Sequence, residues 1–150
     1  TAEKDKFARI VKAGIPKLTV LIDEAQNLLP SAMKTLFNEI IVKLVREGRN
    51  YGISVIMTTQ QPSAIDPRVM AQVDTLVIHK LTSQQDIQYV LQNLKSAQPQ
   101  EITHRGTSLT LDDLIRGLPV GYALVSSTET DRAFILAIRP RLTVHGGFEM

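Results

Sequence analysis

Two carboxylates, Asp23 and Glu24, stand side by side at the end of an apolar run, LTVLI over residues 18–22. An apolar strand that delivers adjacent acids suits phosphoryl transfer. The first acid faces the shell of a Mg²⁺ ion, and the second orients or deprotonates an attacking water. A strand that simply meets a polar turn has the same pair of letters, so the pair alone leaves both readings open. A second apolar run, ISVIM over residues 53–57, ends in Thr58, Thr59 and Gln60. An amide at the tip of a neighbouring strand could touch both a transferred phosphate and the water, which is a sensing role. A loop glutamine is otherwise only solvated. The pairing carries more than either run, because each places chemistry-bearing residues at a carboxyl end, where ligands of parallel α/β sheets bind.

Arg46 and Arg49 fall one turn apart at the end of the helical segment between the two runs. On the residues alone, complementing the negative end of the helix dipole is the stronger reading. The sharper alternative is an arginine that reaches the nucleotide of a neighbouring subunit. His79 and His104 have no partners at metal-ligand spacing. They read as a strand residue and a loop residue.

The elements that must hold these groups follow from apolar periodicity. Residues 3–12 form an amphipathic helix around Phe7, Ile10 and Val11, ended by Gly14 and Pro16. Residues 18–23 read as a parallel strand with both faces covered. Pro30 and Ser31 open a helix to about Gly48, whose stripe is Met33, Leu36, Phe37, Ile40, Ile41, Leu44 and Val45. Residues 53–58 and 75–80 are two further strands. Ser83 and Asp86 cap a helix with Ile87, Val90, Leu91 and Leu94 inward, and residues 96–105 are polar loop. Thr110 and Asp113 cap a short helix that Gly117 and Pro119 end. Residues 121–126 and 133–138 make a hairpin, and 139–150 a terminal arm. Strand, helix, strand, loop, strand, helix is an α/β order with a parallel sheet.

Composition narrows the field. The 150 residues fit one domain, and 43% hydrophobic with 21% charged residues is a globular balance. A net charge of +2 is too small to argue for nucleic acid by electrostatics alone. The absence of cysteine excludes disulfides and thiolate metal sites. No apolar run approaches the ~20 residues of a membrane span, and the chain reads as cytoplasmic.

With these residues in place, LTVLIDEAQNLLP followed by REGRNYGISVIMTTQQPSAIDPRVMAQVDTLVIHKL resembles the second half of the HerA-like ATPases. FtsK translocases and conjugative type IV secretion ATPases share the pattern more distantly. The end, LPVGYALVSSTETDRAFILAIRPRLTVHGG, also resembles the HerA C-terminus, so the likeness covers residues 16–147. It implies a partial RecA-like sheet and a parent protein that is a hexameric, ATP-driven DNA translocase or helicase in end processing or repair. The cofactors it implies are ATP and Mg²⁺, and a NurA-type nuclease is an implied partner. A conjugation ATPase and a non-catalytic assembly module are the alternatives.

By this resemblance Asp23 matches the Mg²⁺-associated Walker B acid, acting through water, and Glu24 the catalytic glutamate. Gln60 matches the sensor glutamine of T-Q-x-P, and Arg49 the arginine of G-R-x-x-G that acts in trans. Arg139 and Arg141 lie in the segment that braces the subunit interface near nucleotide. Gln61 stands where arginine is common, so no charge-based role carries over there. The phosphate-cradling G-x-x-x-x-G-K-[ST] occurs nowhere in the chain. In the family it precedes Walker B, so Thr1 is expected to mark a cut inside the ATPase domain, and these 150 residues alone are expected to be inactive. The family's P-loop strand lies between strands 53–58 and 75–80. Its absence implies that these two strands close on each other or pair with another chain.

Overall fold

The computed structural model describes residues 17–94, 101–104, 107–129, 132–140 and 142. The expected helix over residues 3–12, Arg141 and most of the terminal arm lie outside them. The chain divides into two compact units, Thr1–Val73 and Asp74–Met150.

The first unit is built on two parallel strands, β1 (Leu18–Ile22) and β2 (Ile53–Met57), in register from Leu18 opposite Ile53 to Ile22 opposite Met57. Helix α1 (Leu36–Glu47) connects them. Side chains alternate across a strand. Val20 and Ile22 of β1, with Val55 and Met57 of β2, therefore pack on Ile41 and Val45 of α1, beside Leu29, Ile65 and Val69. Each such side chain taken from water contributes roughly 1.5–3 kcal/mol. The other face is open: Leu21 is 66% and Ile56 53% exposed. The expectation of a strand covered on both faces is corrected here. Among the described residues, α1 and the loops cover one side only.

Helix α1 begins at Leu36 rather than at Pro30. Thr35 caps it, its hydroxyl accepting the Asn38 N–H at 3.1 Å, while Pro30 forms a bridge with Ile65. The apolar stripe is wider than the packed face, for Met33, Leu36, Phe37 and Ile40 are exposed. The fully buried position is instead polar. The amide of Asn38 donates to the carbonyls of Pro30 at 3.2 Å and Met33 at 3.1 Å. It so fastens the preceding loop to the helix and leaves its own donors satisfied. Gly52, at φ 72°, turns the chain from the 3₁₀ turn Gly48–Tyr51 into β2, in a conformation that favours glycine. The short helix α2 (Pro67–Met70) closes the unit.

In the second unit β3 (Thr75–Ile78), β6 (Tyr122–Ser127) and β7 (Arg132–Ala137) form one antiparallel sheet in the order β3-β6-β7. The hairpin β6–β7 stands where it is expected. The third strand, β3, runs antiparallel to β6, Thr75 opposite Ser127. The physical reason lies in β6, whose Ala123, Leu124, Val125 and Ser126 are all buried, making it the central strand. Helices α3 (Gln84–Gln92) and α4 (Leu111–Gly117) pack Ile87, Val90, Leu111 and Ile115 on Ile78 and Leu124. Both caps are present, and at α4 the box is reciprocal: Thr110 accepts from Asp113 N at 3.1 Å, and Asp113 Oδ2 from Thr110 N at 3.3 Å.

Between these helices the expected polar loop is a hairpin, β4 (Glu101–His104) with β5 (Thr107–Thr110). Each strand holds a single aliphatic residue, Ile102 or Leu109, so no alternation marks it. His104 is accordingly a strand residue, not a loop residue. Among the described residues β2 pairs only with β1 and β3 only with β6. The expected closure of β2 on β3 is not among the pairings.

Candidate active site

The carboxyl ends of β1 and β2 bring three of the expected residues together. Where β1 ends, the Thr58 N–H donates to Ile22 O at 2.9 Å and the Ala25 N–H to Thr58 O at 2.8 Å. These bonds carry the parallel pairing into the turn. Glu24 adopts φ 48°, ψ 51°, the left-handed region, alone among the described non-glycine residues. Such a conformation costs roughly 1–2 kcal/mol. It is held by the Glu24 N–H, which points at Asp23 Oδ1 (3.1 Å) and Thr58 Oγ1 (3.4 Å). The Thr58 hydroxyl donates in turn to Asp23 Oδ1.

The Glu24 carboxylate is held at both oxygens. Gln60 Nε2 donates to Oε1 at 2.5 Å, from the tip of β2. Gln26 Nε2 donates to Oε2 at 2.6 Å, from the 3₁₀ turn Ala25–Asn27. Gln26 Oε1 accepts the Thr59 hydroxyl at 2.6 Å, and that hydroxyl oxygen accepts the Gln61 N–H at 3.1 Å. Gln26 was not singled out by the sequence, and Thr59 only as part of the polar end of the second run. The available signal was Gln26 two residues after Glu24, and it becomes readable only once the chain is known to turn back there.

The loops behind these tips are sewn together. Asp66 N donates to Leu29 O at 2.9 Å and Ser31 N to Ala64 O at 2.8 Å. Asp66 is buried and caps α2, accepting the Arg68 N–H at 2.9 Å. The Arg68 guanidinium bonds Asp66 and reaches Glu39 of α1 at 2.7 Å. The hydrogen bond from Arg68 holds the Asp66 carboxyl below its ordinary value, and the two carboxylates push the guanidinium upward.

Arg49 is not part of this cluster. It lies exposed in the 3₁₀ turn Gly48–Tyr51, before the amino end of β2, whereas Gln60 follows its carboxyl end. The five residues between span roughly 16 Å, beyond the reach of an arginine side chain. Arg46 pairs with Glu47 at 3.1 Å on the surface. Arg139 is exposed two residues past β7, in the second unit. Arg141 lies outside the described residues. His79 Nδ1 is 3.0 Å from Tyr122 O.

The oxygen donors suit a Mg²⁺ ion. That ion binds through one or two carboxylates and keeps several waters, and Asp23 is an exposed carboxylate beside the Thr58 hydroxyl. Among the described residues no group of three or more His, Cys, Asp and Glu side chains gathers as a cage.

The fold is that of a solved NTPase. It resembles the genome packaging NTPase B204 from Sulfolobus turreted icosahedral virus 2, solved in complex with AMPPCP. The TM-score is 0.63 at 15% identity, over 90% of this chain and 65% of that one. The chain belongs to the helicase HerA-like C-terminal family, whose model matches residues 7–139. It is 32% identical over 90 residues to the DNA double-strand break repair helicase HerA of Sulfurisphaera tokodaii, covering 60% of this chain and 18% of that one. To the helicase of the same name from Sulfolobus acidocaldarius it is 30% identical over 123 residues, 82% of this chain and 23% of that one. The chain thus spans about a fifth of the length of these relatives.

Proposed function

We propose that this chain supplies the hydrolytic residues of a ring-forming, ATP-driven DNA translocase or helicase. One observation carries the reading: a carboxylate and an amide from the tips of two adjacent parallel strands meet, Glu24 Oε1 with Gln60 Nε2 at 2.5 Å. Glu24, the second Walker B acid, accepts the proton of the attacking water. Gln60, hydrogen-bonded to it, senses the phosphoryl group and reports to the base. Asp23, with the Thr58 hydroxyl beside it, would hold Mg²⁺ through water, and the bound ion would neutralise charge on the phosphates.

The phosphate-cradling G-x-x-x-x-G-K-[ST] is not among these 150 residues, and this reading requires that a cradle be supplied from outside them. Arg49, remote from Glu24 of its own chain, acts on the nucleotide of the next subunit in a hexamer. Arg139 and Arg141 brace that interface. The relatives are named DNA double-strand break repair helicases, which supports a role in that repair; a NurA-type nuclease is the partner this reading proposes.

The test is Glu24→Gln in the full-length protein. ATP binding stays within about twofold, while turnover falls by the roughly 10²–10⁴-fold of a lost general base. Wild-type turnover in Glu24→Gln overturns the reading.

A further inference from the structure

We infer that Gln26 is a positioning residue for Glu24, oriented by the Thr59 hydroxyl; this rests on Glu24 being the hydrolytic base. Three observations carry it. First, the backbone of Glu24 leaves β1 in the left-handed region, so the regular alternation of the strand does not set the direction of its side chain. Second, both carboxylate oxygens are engaged by neutral amides, Oε1 by Gln60 and Oε2 by Gln26. Third, the Gln26 amide is itself polarised one way. Its Oε1 accepts the Thr59 hydroxyl, so its NH₂ faces the carboxylate. The reversed amide would set two acceptors against each other and leave the hydroxyl without its acceptor.

The result is a closed ring. Glu24 bonds Gln60 directly. It also bonds Gln26, which bonds Thr59, the residue before Gln60 in the chain. Gln60 is exposed and Gln26 half-buried. The outer amide is therefore free to exchange Glu24 for substrate, while the inner one keeps the carboxylate aimed. A single amide would let the carboxylate swing about its last torsion, which is broad for Glu. Two amides on opposite oxygens fix that plane. Neutral donors hold the carboxylate without pairing its charge. Misplacing a reacting group by about 1 Å can lower a rate 10²-fold, so loss of the inner amide acts on kcat and not on nucleotide affinity.

The experiment measures steady-state ATP hydrolysis by the full-length protein carrying Gln26→Ala, Thr59→Val, Thr59→Ser, the Gln26→Ala/Thr59→Val pair, and Glu24→Gln for reference. We expect kcat to fall about 10–100-fold in Gln26→Ala and less in Thr59→Val. KM for ATP stays within about twofold, and the double variant is no slower than Gln26→Ala, as residues acting in one chain require. Thr59→Ser, which keeps the hydroxyl, restores kcat. Thermal melting checks that Gln26→Ala stays folded; if it does not, the Thr59→Val and Thr59→Ser pair decides. Wild-type kcat in Gln26→Ala and Thr59→Val beside a dead Glu24→Gln overturns this inference alone. An active Glu24→Gln overturns the catalytic reading beneath it. Equal losses in Thr59→Val and Thr59→Ser would make Thr59 a packing residue and also overturn it.

Discussion

Gln60 Nε2 lies 2.5 Å from Glu24 Oε1, joining the tips of two parallel strands whose sequences are 36 residues apart. A neutral donor at this distance from a carboxylate is replaced by a repulsive contact when it becomes an acid. Gln60→Glu therefore lowers kcat more than Gln60→Ala does, although glutamate is closer in shape. Like charges this close cannot both ionise without penalty. Initial-rate kinetics on the three proteins decide it. A Gln60→Glu enzyme faster than Gln60→Ala would remove Gln60 from contact with Glu24 in the working enzyme.

Arg49 sits at the end of β2 away from Glu24. If it acts on a neighbour, two dead proteins complement each other. Arg49→Ala loses about 10³–10⁵-fold in turnover, as for an arginine finger. Mixing it with Glu24→Gln creates some interfaces with both residues intact and recovers measurable hydrolysis. Were every mixing ratio as inactive as the parents, Arg49 would act in its own subunit or only at the helix end.

Asp66 links pH to stability. Its folded pKa is lowered, first by the Arg68 side-chain hydrogen bond. A depressed acid contributes stability that is fully present above the unfolded value, about 3.9, and is lost as pH falls through the lower folded value. Asp66 is buried, but Arg68 is 38% exposed, so the ion pair itself is partly screened. The cap adds about 1 kcal/mol. Asp66→Asn keeps a capping oxygen and loses only the charge, so it is expected to be about 1 kcal/mol less stable at pH 7. Urea melts should show the deficit shrinking towards pH 3. A deficit constant from pH 7 to pH 3 would assign the whole effect to packing.

The strands and their chemical tips were legible because LTVLIDE and ISVIMTTQ are short apolar runs that end abruptly in polar residues. The turn that brings Gln26 back to Glu24 was not, since a left-handed glutamate leaves no mark in the letters. The buried face of α1 was misread because Met33, Leu36, Phe37 and Ile40 extend the apolar stripe beyond what packs, while Asn38 is buried by its bonds to backbone carbonyls. The pairing of β3 with β6 depends on contacts about 50 residues apart in sequence, as between Thr75 and Ser127; local periodicity is silent on that. The hairpin β4–β5 was missed for lack of apolar alternation.

The open sheet surfaces have a consequence for the 150-residue chain on its own. Among the described residues, β2 offers one edge with no strand beside it and so does β3. Unpaired edges are templates for another chain. Leu21 and Ile56, paired on one face, are both more than half exposed. In β7, Phe134, Ile135 and Leu136 are exposed in succession, so that strand shows apolar groups on both faces. Exposed apolar surface of this kind is uncommon on a monomer unless a partner covers it. The isolated chain is therefore expected to scatter light as a dimer or larger species, not as a 16.7 kDa monomer. Leu21→Lys and Ile56→Lys alter positions already in solvent, so they leave the core intact and place repelling charges on the open face. Both should shift the mass towards the monomer without lowering the melting temperature. A monomer at tens of micromolar, unchanged by either substitution, would show that neither the edges nor the apolar face drive association.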